Sequence, residues 1–193
     1  MQDLRPISVL VRNERGVLSR VSGLFARRGF NITSLAVGET EDPRYSRITV
    51  VVSGDDATME QVVKQLKRLV SVRQVQDLTR TERVERGLAL IKVRADASTR
   101  EEIARLVDIF RARIDHVDQE SLIVEVTGRR RKVQAIMDML RPYGIIEMAR
   151  TGQIVLGRHQ PLLEEKEKPT SQRPPRSEQE DTGIYNLYQS KEG

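Results

Sequence analysis

The sequence has no cysteine and no tryptophan in 193 residues, and its aromatic residues are three Phe and four Tyr, 4% of the chain. The lack of cysteine excludes disulfides and thiolate metal sites. His116 and His159 are the two histidines, far apart in sequence and too few for the usual His-rich metal cluster. With so few aromatics, any core must be aliphatic, built from Val, Ile and Leu. The same scarcity leaves few rings for the base stacking on which single-stranded nucleic-acid binders depend. No apolar run approaches the ~18 residues of a membrane-spanning helix. The N-terminus carries no charged-then-apolar leader, so the expected location is cytoplasmic, with no membrane partner.

Catalytic signatures are missing as well. There is no G-x-S-x-G elbow, no Walker lysine loop and no G-x-G-x-x-G. Gly23 reads as a helix position and Gly29 as a helix stop. The acid pairs Glu101-Glu102 and Asp55-Asp56 fall in helix-cap regions, and Glu164-Glu165 lies in a polar tail. These absences favour binding over catalysis, and neither catalytic nor metal-ligating residues are expected.

What the chain does have is charge and short aliphatic patterns. Lys plus Arg is 33 against 28 acidic residues, a net +5, with both signs interspersed as on a solvated surface. The densest basic run, Arg129-Arg130-Arg131-Lys132, comes just before the helical pattern Val133, Ile136, Met137 and Leu140, and reads as a water-facing turn. A nucleic-acid footprint would be a concentrated basic stripe with aromatic platforms, so no nucleic-acid partner is expected. Hydrophobic residues are 38%, below the usual globular share but enough for one large or two small domains.

Residues 4–78 read as strand, helix, strand, strand, helix, strand. Ile7, Val9 and Val11 alternate as a half-buried strand. Asn13-Glu14-Arg15-Gly16 is a polar turn. Val17, Leu18, Val21, Leu24 and Phe25 share a helix face that Gly29 ends. A second strand covers residues 32–37, and a hairpin loop residues 39–45. Ile48, Val50 and Val52 alternate as a third strand. Met59, Val62, Val63, Leu66, Leu69 and Val70 make the next helix amphipathic, with Asp56 or Thr58 as its cap, and residues 72–78 close the unit. This βαββαβ order is the split β-α-β, ferredoxin-like motif, a four-stranded sheet with two helices on one face. Residues 79–87 are polar, a linker in composition.

The same order recurs over residues 88–157, with a capping box in Ser98-Thr99-Arg100-Glu101-Glu102 and a helix ended by Pro142 and Gly144. The fold class is therefore α+β, two tandem ferredoxin-like domains. Residues 158–193 are polar and carry four of the prolines, a composition that cannot offset ordering entropy, so a disordered tail is expected. Within it Ile184-Tyr185-Asn186-Leu187-Tyr188 is the one apolar cluster; an idle tail or a short docking segment both fit.

The opening stretch has chemical use. A first helix turn offers unpaired N–H groups and the positive end of a dipole, which suit a carboxylate. Gly16 allows close backbone approach, and Asn13 and Asn31 are short amides that can accept hydrogen bonds from an ammonium. The same residues also read as ordinary turn formers and a strand start.

The run from Asn13 through Gly16, Gly29 and Asn31 to Leu35 is similar, nearly residue for residue, to the ACT domain of the small regulatory subunit family of acetolactate synthase, or acetohydroxyacid synthase. The resemblance continues through Asp42-Pro43, Ser46-Arg47-Ile48-Thr49, Val84-Glu85-Arg86 and Glu147-Met148-Ala149-Arg150-Thr151-Gly152, covering roughly residues 4–157. It implies an N-terminal ACT domain that binds effector and dimerises, and an ACT-like C-terminal domain. It implies a noncatalytic subunit that activates a separate large catalytic subunit. That enzyme joins two pyruvates, or pyruvate and 2-oxobutyrate, in branched-chain amino-acid biosynthesis. It implies feedback inhibition by valine or another branched-chain amino acid bound where two ACT domains pair. Thiamine diphosphate, magnesium and FAD are implied for the large subunit, with no cofactor in this chain. Residue by residue, Asn13 and Asn31 match positions at the effector's polar ends. Gly16, Val17 and Leu18 match backbone contacts at the helix start, and Ile32 or Leu35 is implied to shape the apolar pocket. The second βαββαβ unit lacks the Asn-to-Gly turn and is not assigned the same site. Two other readings are a ligand-responsive nucleic-acid regulator built on ferredoxin-like domains and a free-standing enzyme; a salt-dependent shift assay and turnover by the chain alone separate them.

Overall fold

The structure, a computed structural model, describes residues 4–159. The segment read from composition as a disordered tail lies outside these residues, apart from Arg158 and His159.

The first unit contains β1 (Leu4–Arg12), α1 (Val17–Arg28), β2 (Ile32–Glu39), β3 (Tyr45–Ser53), α2 (Asp56–Leu66) and β4 (Val72–Asp77). Its sheet has the order β2-β3-β1-β4 and is antiparallel throughout. The second unit contains β5 (Arg83–Arg94), α3 (Arg100–Ile109), β6 (Arg113–Val117), β7 (Ser121–Gly128), α4 (Arg130–Leu140), a 3-10 turn (Arg141–Tyr143), β8 (Ile145–Arg150) and β9 (Ile154–Gly157). It repeats the topology as β6-β7-β5-β8, with β9 added against β5. This is the paired ferredoxin-like, ACT-type architecture that the sequence predicts.

Each unit has its own aliphatic core. In the first, Ile7, Val9, Val11, Ile48, Val50 and Val52 face Val21, Leu24 and Phe25 of α1 and Met59, Val62 and Leu66 of α2. In the second, Ala89, Ile91, Val93, Leu122, Val124 and Val126 face α3 and α4 through Ile103, Val107, Val133, Ile136 and Leu140. Period-2 strands meeting period-3.6 helices are what these patterns dictate. The α1 helix ends as expected at Gly29, which takes a left-handed φ of 68°. Its N–H donates to Ala26 O and that of Phe30 to Phe25 O, a turn that launches β2.

The structure departs from the sequence reading at several points. β1 is buried on both faces rather than one: Ser8 and Leu10 are as enclosed as Val9. The cover comes from the second unit, whose β9 lies against β1 and buries Val155. Residues 79–87 are not a free linker. Residues 83–86 are already strand, paired from Arg83↔Gly157 to Arg86↔Ile154. Backbone pairing does not require an apolar alternation, so composition did not reveal it. The cap of α2 is Asp55, not Asp56 or Thr58; its carboxylate accepts from the Thr58 N–H at 2.8 Å. Asp56 instead pairs with Arg5 and Arg80. The helix stops at Leu66, because the next N–H groups bond three residues back (Arg68 to Gln65 O, Leu69 to Leu66 O). That tightening turns Leu69 onto the core and leaves Val70 91% exposed. The capping box at α3 does not form. Asp96 accepts from the N–H and hydroxyl groups of Ser98 and Thr99. The basic run enters the first turn of α4, where Lys132 donates back to Thr127 O at 2.9 Å.

The two units also meet at residues 151–153. The Gln153 N–H donates to Ser34 Oγ at 2.8 Å, and Thr151 is tied to β5 by its N–H bond to Leu88 O. Gly152 rests on the Leu35–Ala36 peptide so closely that a Cβ would stand 2.1 Å from Leu35 O. No helix among the described residues is long and apolar enough to cross a membrane.

Two outcomes are expected. Gly152→Ala should lower the melting temperature by roughly 2–12 °C, since overpacking costs about 1–3 kcal/mol and each is worth about 2–4 °C at this size. Gly38→Ala, with open space at its Cβ, should leave it unchanged. Secondly, the Ser98 and Thr99 hydrogen bonds hold the Asp96 carboxyl at about 2, down from 3.8. A depressed carboxyl stabilises the fold above its unfolded range and loses that contribution as pH falls through its folded value. Asp96→Ala should therefore destabilise at neutral pH, with the gap to wild type narrowing as pH falls from about 4 through about 2 in denaturant titrations.

Candidate functional site

The turn after β1 is built from both flanking strands. The Arg12 N–H donates to Ser71 O at 2.8 Å and the Asn13 N–H to Arg44 O at 2.7 Å. The Glu14 carboxylate accepts from the Ser71 hydroxyl and from Arg20 at 2.9 Å, and Arg20 also donates to Ser71 Oγ at 2.8 Å. The Ser71 hydrogen bond, with Arg20 adding to it against an opposing desolvation, holds the Glu14 carboxyl below its ordinary range. Ser71 is not predictable from sequence, because it lies 57 residues from Glu14 and 51 from Arg20.

Gly16 sits at the N-cap of α1 with φ 79°, a left-handed conformation that gives the helix no side-chain cap. The Val17 N–H bonds back to Glu14 O at 3.3 Å, and the first helical bond is Arg20 N–H to Gly16 O at 3.0 Å. The N–H groups of Leu18 and Ser19 have no acceptor among the described residues. α1 has no acidic residue in its first turn and has Arg27 and Arg28 in its last. A carboxylate at this end would meet two free donors and an uncompensated dipole. The Val17 side chain points into the core, while Leu18 is 41% exposed beside the turn.

Asn13 is exposed, and its side chain is fixed. Nδ2 donates to Glu39 Oε1 at 3.2 Å and to Pro43 O at 3.1 Å. The hairpin behind it is stiff: Asp42 accepts from the Arg44 N–H and guanidinium, which hold its carboxyl below the ordinary range. Glu39 falls in the segment that the sequence reads as hairpin loop, and nothing in the pattern ties it to Asn13.

Asn31, by contrast, stands at the far end of β2. Ile32 pairs with Val52 and Glu39 with Ser46, so seven rises of ~3.3 Å put roughly 23 Å between the Asn31 end and the Asn13 end. One copy of the chain cannot close both amides on one small molecule. β2 is, however, the edge strand of its sheet. Ile32 and Leu35 pack against the first core, and Val37 is 46% exposed. A two-fold axis near the middle of β2 would set residue 31 of a second copy opposite residue 39 of the first.

A groove of about 370 Å³ also opens where the two units meet, lined by Ala36, Val37, Leu88, Thr151 and Ile154, with Arg86 its charged member. It lacks paired groups for the two ends of an amino acid. Among the described residues no cluster of His, Asp or Glu could hold a metal ion.

Comparison with known proteins gives a consistent answer. The family description "AHAS small subunit-like ACT domain" matches residues 7–74, and "Small subunit of acetolactate synthase" matches residues 86–159. A protein of Archaeoglobus fulgidus named probable acetolactate synthase small subunit is 53% identical over 152 residues, 79% of this chain and 95% of that protein. The acetolactate synthase small subunit of Mycolicibacterium smegmatis is 50% identical over 152 residues, 79% of this chain and 89% of that protein. The crystal structure of the small subunit from Thermotoga maritima superimposes with a TM-score of 0.75 at 46% identity, covering 81% of this chain and 98% of that one.

The turn makes its own prediction. A Cβ on Gly16 would meet no atom within 4 Å, so Gly16→Ala carries only the left-handed backbone penalty. Its expected cost is about 1–2 kcal/mol of stability, read by urea unfolding.

Proposed function

Since this chain belongs to the family of acetolactate synthase small subunits, we propose that it is the noncatalytic regulatory subunit of that enzyme. It activates a large catalytic subunit and makes it sensitive to a branched-chain amino acid. Thiamine diphosphate, magnesium and FAD serve the large subunit, and the complex works in the cytoplasm. The observation that carries the effector reading is the position of Asn13 and Asn31 at opposite ends of edge strand β2. A homodimer formed through β2 creates two equal sites, each with Asn13, Gly16 and the start of α1 from one copy and Asn31 from the other. The effector's carboxylate meets the Leu18 and Ser19 N–H groups, and its ammonium meets the amide oxygens. Ile32, Leu35 and the exposed Leu18 supply aliphatic surroundings.

Binding there alters how the two copies sit across β2. Gly152 and Gln153 rest on the same strand, so the change reaches the C-terminal unit through direct contact. The effector must bind the inhibited arrangement better than the active one; a coupling of about 1–3 kcal/mol gives roughly 5- to 150-fold regulation. The aliphatic pocket separates valine from leucine or isoleucine by only about 1–3 kcal/mol, so the effector is assigned as a class.

Acetolactate formation from pyruvate by the large subunit should rise on adding this chain, and L-valine should reverse the rise. No rise with a large subunit from the same source would refute the regulatory role. The shared site has a sharper test by calorimetry. Asn13→Ala and Asn31→Ala chains should each lose L-valine binding at least tenfold. Mixed and re-annealed, they should recover one intact site per mixed dimer. Failure to recover would place both amides in separate roles.

A further inference from the structure

We infer that Glu39 is a positioning and specificity residue of the effector site, one that selects for a charged ammonium at the ligand's α-carbon. The inference rests on the effector reading of Asn13 and deepens it. A carboxamide has two donor hydrogens on nitrogen and one acceptor oxygen. Both Asn13 hydrogens are taken by acceptors, Glu39 Oε1 at 3.2 Å and Pro43 O at 3.1 Å. Neither partner can donate to the amide, so its orientation is set: nitrogen toward the hairpin, oxygen outward. Among the described residues Asn13 Oδ1 accepts no hydrogen bond, and neither does Glu39 Oε2. The Asn13–Glu39 pair therefore presents acceptors only, one of them on a carboxylate. Beside it, the start of α1 presents donors only, the free N–H groups of Leu18 and Ser19. A zwitterionic α-amino acid matches this pairing of acceptor and donor surfaces; a ligand with the same carboxylate but a neutral α-substituent matches half of it.

The hairpin holds the arrangement in place. Glu39 is the last residue of β2, registered against Ser46, and the Thr40 N–H bonds to Tyr45 O at 3.1 Å. The Tyr45 N–H bonds to Asp42 O at 2.9 Å, which fixes the peptide carrying the Pro43 carbonyl. A dyad near the middle of β2 brings Asn31 of a second copy to the Glu39 end. The ammonium then meets Asn13 Oδ1, Glu39 and that second amide together.

The test is calorimetric titration of the full-length chain with L-valine and with 2-hydroxy-3-methylbutanoate, which replaces the ammonium by a hydroxyl. Glu39→Gln keeps an acceptor for Asn13, and in place of the outward carboxylate oxygen it sets an uncharged NH2 group. It should weaken L-valine about tenfold and leave the hydroxy acid within twofold of wild type. Glu39→Asp should restore part of the L-valine affinity. Glu39→Ala also frees the Asn13 amide to turn, so both ligands should weaken. Equal loss of both ligands in Glu39→Gln would mean a merely structural residue, and unchanged L-valine binding would remove Glu39 from the site; either overturns the inference and leaves the regulatory reading standing. Wild-type chain that binds none of L-valine, L-leucine and L-isoleucine would overturn the effector site itself.

Discussion

The N-terminal unit depends on one asymmetric strand. β2 is hydrogen-bonded to β3 along its inner side and lies at the edge of the sheet. From the second unit, Gly152 rests on its backbone and the Gln153 N–H donates to its Ser34 hydroxyl. An edge strand is a row of unsatisfied peptide groups, and a protein either protects it or uses it. Here the middle of the strand carries small or partly buried residues, Ser34, Leu35 and Ala36, with no charge to repel a neighbour. The polar groups stand at its two ends. That distribution suits pairing with a second copy.

The second unit also covers the neighbouring strands. Its own core closes without help from the first, yet β9 continues past the compact sheet to cover β1, and residues 83–86 leave the first unit already paired. Ser8, Leu10, Thr49 and Val51 are buried on the face opposite the helices as a result. On the covered face Arg47 donates to Ser8 Oγ at 3.0 Å. Two ferredoxin-like units joined by a loose tether would tumble independently; here the connection is itself β-structure.

Most of the element order was legible in sequence because it rests on local physics. Alternation in Ile48, Val50 and Val52, spacing in Val133, Ile136 and Leu140, and glycine at position 29 each report their own surroundings. What escaped is what depends on distant residues. Nothing near Val70 signals that the helix unwinds four residues early, and nothing near Arg83 signals a partner at Gly157. The candidate site divides the same way. Gly16 and the bare helix start are readable from the turn, whereas the Ser71–Glu14–Arg20 cluster and the Glu39–Asn13 contact exist only after folding. The separation of Asn13 from Asn31 is the clearest case. Both amides are conspicuous in sequence, and only the register of β2 shows that they sit at opposite ends of it.

That separation bears on why a regulatory site would be arranged so. If both amides belonged to one copy, a ligand could bind a single chain as well as a pair, and it would shift no equilibrium between arrangements. Splitting the recognition across a dyad makes the ligand's affinity depend on how the two copies meet. Binding energy then enters the interface directly, with no long path to carry it. The aliphatic part of the pocket contributes little discrimination per methylene, so the charged ends must supply most of the selectivity for an amino acid. In the proposed pair those ends fall to the start of α1 in one copy and the start of β2 in the other. A small rotation of the copies changes both contacts at once. That is how a ligand worth only a few kcal/mol can favour one arrangement over the other.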